Sequence, residues 1–207
     1  MHQHAKNIVS KGVPLQKAGK AMIMVHGRGA TAESILSLAE YLNVEGFALL
    51  APQADRHSWY PFSFMAPVQD NEPGISSGLK VLEGMLEDVK AEGIKAENIF
   101  VLGFSQGSCL ASEFVARNGE RLGGLFILSG GLIGQELNTA NYKGDLRGMP
   151  VLLGCSDTDP HIPLSRVKET VKIFRGLGAE VTEKIYPNGP HTVYEDEINE
   201  INRLLAR

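Results

Sequence analysis

A chain of 207 residues suits one sizeable hydrophobic core. Its apolar share of 43%, charged share of 21% and formal charge of -4 are those of an ordinary soluble protein, without the basic footprint of a nucleic-acid binder. No apolar run is long enough to span a bilayer, and Met1-His2-Gln3-His4-Ala5-Lys6 lacks a signal-peptide core, so the expectation is a cytoplasmic protein without stable membrane insertion.

Residues 8–15 suggest a short hairpin around Gly12, with Ile8-Val9 and Val13-Pro14-Leu15 as its arms. The continuously apolar run 21–25 reads as a strand buried on both faces. It ends in His26-Gly27-Arg28-Gly29-Ala30, and the spacing of Ile35, Leu38, Ala39 and Leu42 then predicts a helix over 32–43. A strand over 47–51 leads into an irregular segment, 52–74, rich in aromatics: Trp59, Tyr60, Phe62 and Phe64. A loop of that length is often functional, and this one either covers a sheet edge as core or walls a binding cavity. Ile75, Leu79, Leu82, Leu86 and Val89 mark a helix that Gly93 ends. A strand over 99–102 passes through Gly103-Phe104-Ser105-Gln106-Gly107 into a helix over 109–117. Strands follow over 124–128, 151–153 and 181–186. A helix carrying Leu164, Val167, Val171 and Phe174 separates the last two, and a C-terminal helix carries Ile198, Ile201 and Leu205. Cys109 and Cys155 sit in apolar surroundings without C-x-x-C spacing, which predicts buried free thiols.

Strands alternating with helices predict an α/β fold: one domain over residues 1–207, a mostly parallel central sheet, and helices on both faces. Right-handed crossovers place successive loops at the carboxyl edge of such a sheet, where its sites lie. Those loops carry His26-Gly27-Arg28, Ser105, Asp157 with Asp159, and His191.

Ser105 fits the G-x-S-x-G pattern of a nucleophile elbow in its proper strand-turn-helix context. A second literal match, Gly74-Ile75-Ser76-Ser77-Gly78, follows a loop signal and no strand, so its serines are expected to cap or line a loop. Acyl transfer needs a nucleophile, a base, a carboxylate that orients the base, and donors for the oxyanion. His191, in a loop after the last strand, suits the base. His26 is expected to order its loop, His57 and His161 lack positional support, and His2 and His4 fall in the N-terminal segment. Spacing alone leaves Asp157 and Asp159 both open as the acid.

These motifs resemble the phospholipase/carboxylesterase family of α/β-hydrolases, whose relatives include acyl-protein thioesterases and small bacterial carboxylesterases. The matching stretches are H-G-R-G-A at 26–30, W-Y-P-F-S-F at 59–64, N-E-P at 71–73, G-F-S-Q-G at 103–107, D-P-H-I-P at 159–163 and G-P-H-T at 189–192. The resemblance implies a catalytic triad of Ser105, Asp159 and His191, with Asp157 bracing its loop. It also implies oxyanion donors at the backbone NH groups of Arg28 and Gln106; the small loops of this edge suggest no large cap domain. Trp59, Phe64 and Leu132 are expected to contact substrate. The activity implied is hydrolysis of carboxylic esters through an acyl-enzyme, with no cofactor or metal and a small-molecule ester or thioester as substrate. Acyl-thioesterase and lysophospholipase are the alternatives within the class, and a non-catalytic ligand-binding protein of the same fold is the alternative outside it. Monomer and homodimer both stay open.

Overall fold

A computed structural model describes residues 3–207; Met1 and His2 lie outside the described residues. Seven strands form one sheet: β1 (Ile8–Gly12), β2 (Lys20–Val25), β3 (Phe47–Pro52), β4 (Ile99–Phe104), β5 (Gly124–Leu128), β6 (Pro150–Ser156) and β7 (Glu180–Tyr186), in the order β1-β3-β2-β4-β5-β6-β7. Only β1 runs antiparallel, against β3; every other neighbouring pair is parallel. Five α-helices pack on the sheet: α1 (Ala32–Leu36), α2 (Gly74–Ala91), α3 (Gln106–Asn118), α4 (Leu164–Gly176) and α5 (Glu195–Leu205).

Alternate side chains of each buried strand feed two separate cores. Ala21, Ile23 and Val25 of β2 join α2, α3 and α4 on one face, while Met22 and Met24 join α1 and α5 on the other. Helices on both faces explain why the central strands read as unbroken apolar runs. Among the described residues, no helix is long and apolar enough to cross a membrane.

Two expected elements differ. The hairpin at 8–15 does not form: Gly12 turns the chain at φ 80°, Val13 N donates to Phe47 O, and Pro14 leads into a short 3-10 turn at Leu15–Lys17. The apolar residues of β1 instead pair along β3, with Ile8 opposite Pro52. The helix expected over 32–43 is α-helical only to Leu36 and continues as a 3-10 helix over Ser37–Tyr41. Ser34 and Ser37 each donate a hydroxyl to the carbonyl three residues back, which favours the tighter winding.

Helix periodicity also conceals buried charge. Glu113 on α3 is 1% exposed; it pairs with Arg117 and accepts from Ile133 N and Tyr142 Oη. Arg166 on α4 is 2% exposed and donates to the carbonyls of Leu132, Gly134 and Gln135. Between them they fasten the irregular stretch after β5 to the helices. Glu197 on α5 is fully buried: Oε2 accepts from Tyr194 N at 2.8 Å, while Oε1, against Gly154, has no partner. Burial, with Asp196 adding to it and the Tyr194 bond and Lys184 opposing, lifts its carboxyl to about 7.

A carboxyl whose pKa is higher folded than unfolded binds its proton more tightly in the native state, so stability falls as pH rises between the two values, 4.5 and about 7. Between those limits the ionisation of Glu197 costs up to about 3 kcal/mol. Urea denaturation of Glu197→Gln at a series of pH values is expected to show that decline removed, relative to the wild type.

Candidate active site

The site is built around the junction of β4 and α3. Ser105 stands there at φ 55° and ψ -122°, a region that costs a residue with a side chain of order 1–3 kcal/mol. The surroundings hold it in place: Ser105 N donates to Leu128 O at 2.9 Å, and Ser105 O accepts from Cys109 N at 3.1 Å. A Cβ on Gly103 would lie 2.5 Å from the Ser108 Cα, and one on Gly107 would strike the carbonyl oxygens of Val25 and His26. Glycine at both positions is what lets the helix start this close to the strand ends.

The loops after β6 and β7 bring their side chains to that serine. His191 Nε2 lies 2.9 Å from Ser105 Oγ, and His191 Nδ1 lies 2.6 Å from Asp159 Oδ2. The carboxylate accepts a hydrogen bond from Nδ1–H, which leaves Nε2 as an acceptor facing the serine hydroxyl. Asp159 Oδ1 accepts from the backbone N of His161 at 2.8 Å and of Ile162 at 3.0 Å. Burial pushes the Asp159 carboxyl up, but the His191 and backbone hydrogen bonds outweigh it and hold the pKa below its ordinary value. Asp157 points elsewhere: its Oδ1 accepts from Asn188 N at 2.7 Å, tying the β6 loop to the one that carries His191. The rings of Phe104 and His161 flank His191, with centroids 5.1 and 5.0 Å away.

Arg28 and Gln106, which flank Ser105 across the site, both border a cavity of about 520 Å³ that also holds Ser105 and His191. The backbone N of Gln106 opens α3 and so has no intrahelical acceptor. Neither it nor Arg28 N donates to any acceptor among the described residues. Tyr60, Phe62, Phe64, Phe104 and Ile162 supply the apolar wall. Of the residues expected to contact substrate, Phe64 lies on the wall, but Trp59 and Leu132 do not. Trp59 is fully buried, with its indole donating to His26 O at 2.8 Å. Leu132 is fully buried too, its NH bonded to Thr170 Oγ1. The aromatic segment therefore serves as both core and wall: Trp59 is buried away from the cavity, while Tyr60, Phe62 and Phe64 border it.

Buried polar groups hold that segment. Gln106 Oε1 accepts from Trp59 N at 2.9 Å and Nε2 donates to Tyr60 O at 2.8 Å. His26, fully buried, bonds Gly27 O through Nδ1 and accepts from Ala54 N at Nε2; burial lowers its pKa and keeps it neutral. His4, in the N-terminal segment, is 8% exposed, bonds Trp59 O at 2.8 Å and accepts from Asp55 N. The sequence left Tyr60 and Phe62 open as core or wall, and it did not single out Phe104, Ile162 or the Gln106 side chain. An amide at the first position of the helix that follows Ser105 was the available signal. Ser76 and Ser77 occupy the first turn of α2, where Ser76 Oγ donates to Pro73 O.

A mostly parallel sheet, a strained serine between strand and helix, and a Ser-His-Asp hydrogen-bonded chain define the class: a serine hydrolase of the α/β-hydrolase fold. The phospholipase/carboxylesterase family model matches residues 4–207, and the chain belongs to that family. It is similar to a phospholipase/carboxylesterase from Dyadobacter fermentans whose crystal structure is known, with a TM-score of 0.98 and 46% identity over 100% of this chain and 99% of that one. Acyl-protein thioesterase 1 of Kluyveromyces lactis is 27% identical over 100% of this chain and 98% of its own length. Lysophospholipase-like protein 1 of Mus musculus is 23% identical over 91% of this chain and 86% of its own. The chain is an enzyme that acts on carboxylic esters.

Removing the Gln106 amide strands a buried donor and a buried acceptor on the aromatic segment. Gln106→Ala is expected to lose about 1–3 kcal/mol of stability for each unpaired group left buried. Thermal denaturation measures that loss. Gln106→Glu, which keeps the acceptor for Trp59 N but sets a carboxylate against Tyr60 O, is expected to be destabilised as well.

Proposed function

We propose that Ser105 is the nucleophile of a carboxylesterase, His191 its general base and Asp159 the carboxylate that orients the base. The observation that carries this reading is the continuous chain from Ser105 Oγ through the His191 ring to Asp159, at 2.9 and 2.6 Å. Ser105 Oγ attacks the acyl carbonyl while its proton passes to His191 Nε2. The developing oxyanion is met by the backbone NH groups of Arg28 and Gln106, which have no other acceptor. Protonated His191 then delivers its proton to the departing alcohol or thiol, and the same ring activates the water that releases the acid. The whole site sits on one domain and takes a small-molecule ester or thioester, and the location we propose is the cytoplasm.

Asp159 is preferred to Asp157 as the acid because it reaches the imidazole, whereas Asp157 is spent on Asn188 N. Ester hydrolysis is placed ahead of thioester hydrolysis because the 46%-identical structure is a phospholipase/carboxylesterase, while the thioesterase relative stands at 27%.

Ser105→Ala is expected to lower kcat on a short-chain ester by on the order of 10⁶ and to abolish labelling by a fluorophosphonate probe. Labelling that survives the substitution would falsify the assignment. Asp159→Asn is expected to cost on the order of 10⁴ in kcat, since the wrong imidazole tautomer then faces the serine. Asp157→Asn is expected to leave kcat within a few-fold of the wild type, and an equal loss in both variants would remove Asp159 from its role.

A further inference from the structure

The protein carries a formal charge of -4, yet its cavity wall carries no carboxylate. Among the described residues, the ionisable side chains that line it are Arg28, His161, His191, Tyr60 and Cys109. Arg28 is the one with a permanent charge, and it is firmly placed. Nη1 donates to Ser58 Oγ at 3.1 Å and to Pro61 O at 2.9 Å, and Nη2 donates to Phe62 O at 2.7 Å. The guanidinium also sits over the Tyr60 ring, 5.9 Å from its centroid.

All of these partners are neutral. A guanidinium has five N–H donors, and these bonds leave Nε–H and one N–H of Nη2 without an acceptor among the described residues. No carboxylate of the described residues comes within 4.0 Å of Arg28. Beneath it, the Tyr60 hydroxyl is fully buried with only the weak thiol of Cys109 beside it. Arg28 is exposed to solvent, but a guanidinium held in place by neutral partners, with spare donors beside aromatic cavity walls, favours an anion. The backbone NH of the same residue is the proposed oxyanion contact, and its side chain lines the same cavity as Ser105.

We propose that Arg28 makes this site selective for esters that carry a second, ionised carboxyl group close to the scissile bond. The guanidinium meets that carboxylate through its unspent N–H groups, in a charge-assisted pairing that arginine geometry favours. Arg28 is then a specificity residue through its side chain as well as an oxyanion donor through its backbone. This inference rests on the ester-hydrolase reading of the site.

The test uses two matched pairs of substrates at low salt. Monoethyl glutarate against ethyl valerate places the carboxylate on the acyl side; carboxymethyl butyrate against isobutyl butyrate places it on the alcohol side. In at least one pair, kcat/KM for the acid is expected to exceed that for the neutral ester by about tenfold. The excess is expected to shrink as salt is raised, to persist in Arg28→Lys and to vanish in Arg28→Gln. A neutral preference in both pairs overturns the proposal. So does an acid preference that neither salt nor Arg28→Gln diminishes. The salt series needs only the wild type, so poor folding of a variant leaves the question decidable. Hydrolysis of the neutral esters that Ser105→Ala abolishes, without any acid preference, removes the role of Arg28 alone; no hydrolysis of any ester removes the catalytic reading beneath it.

Discussion

How closely the first turn of α3 approaches the ends of β2 and β4 decides the rest of the site. Packing of backbone against backbone at Gly103 and Gly107 leaves Ser105 no conformation but the strained one at φ 55°. That strain lifts the hydroxyl to the carboxyl edge of the sheet, and it turns the free NH groups at the start of the helix toward the same space. Two fully buried cores, one on each face, supply the stability that such a local cost requires.

The second determinant is the segment between β3 and α2. It has no regular structure beyond short 3-10 turns, yet it is held as firmly as a strand. Gln106, His26, His4 and Arg28 each bond its backbone, and the buried Trp59 anchors it from below. A wall made this way is stiff, which suits a site that must present a carbonyl to a serine within a few tenths of an ångström. The groups that hold the wall and the groups proposed to do chemistry are in part the same residues: Gln106 and Arg28 serve both.

Much of this was legible in the sequence because it rests on periodicity and on glycine. Unbroken apolar runs gave β2, β4 and β5, and the stripe from Ile75 to Val89 gave α2, since helix and strand spacing are imposed by which face is buried. The order of Ser105, then Asp157 or Asp159, then His191 along the chain, on loops that a parallel sheet must gather at one edge, marked the candidate site, and the family resemblance chose Asp159. What could not be read is where a side chain points once a segment has no period. Trp59 and Tyr60 are neighbours in sequence, yet one fills the core and the other borders the cavity. Glu113, Arg166 and Glu197 fall among residues that look like the solvent face of a helix, and their burial depends on loops and strands far along the chain. The burial of His4 is invisible in the sequence because its partners, Trp59 and Asp55, lie more than fifty residues away.

The bond between Asp157 and Asn188 bears on how the site is assembled as well as on its shape. The imidazole and the carboxylate that faces it ride on separate loops, after β7 and β6. A short hydrogen bond from one loop to the backbone of the other joins them a second time, beside the contact of 2.6 Å between His191 and Asp159. The spacing and tautomer of the imidazole are thus set within this pair of loops, whereas its distance to the Ser105 hydroxyl is set by how the pair docks on the junction of β4 and α3.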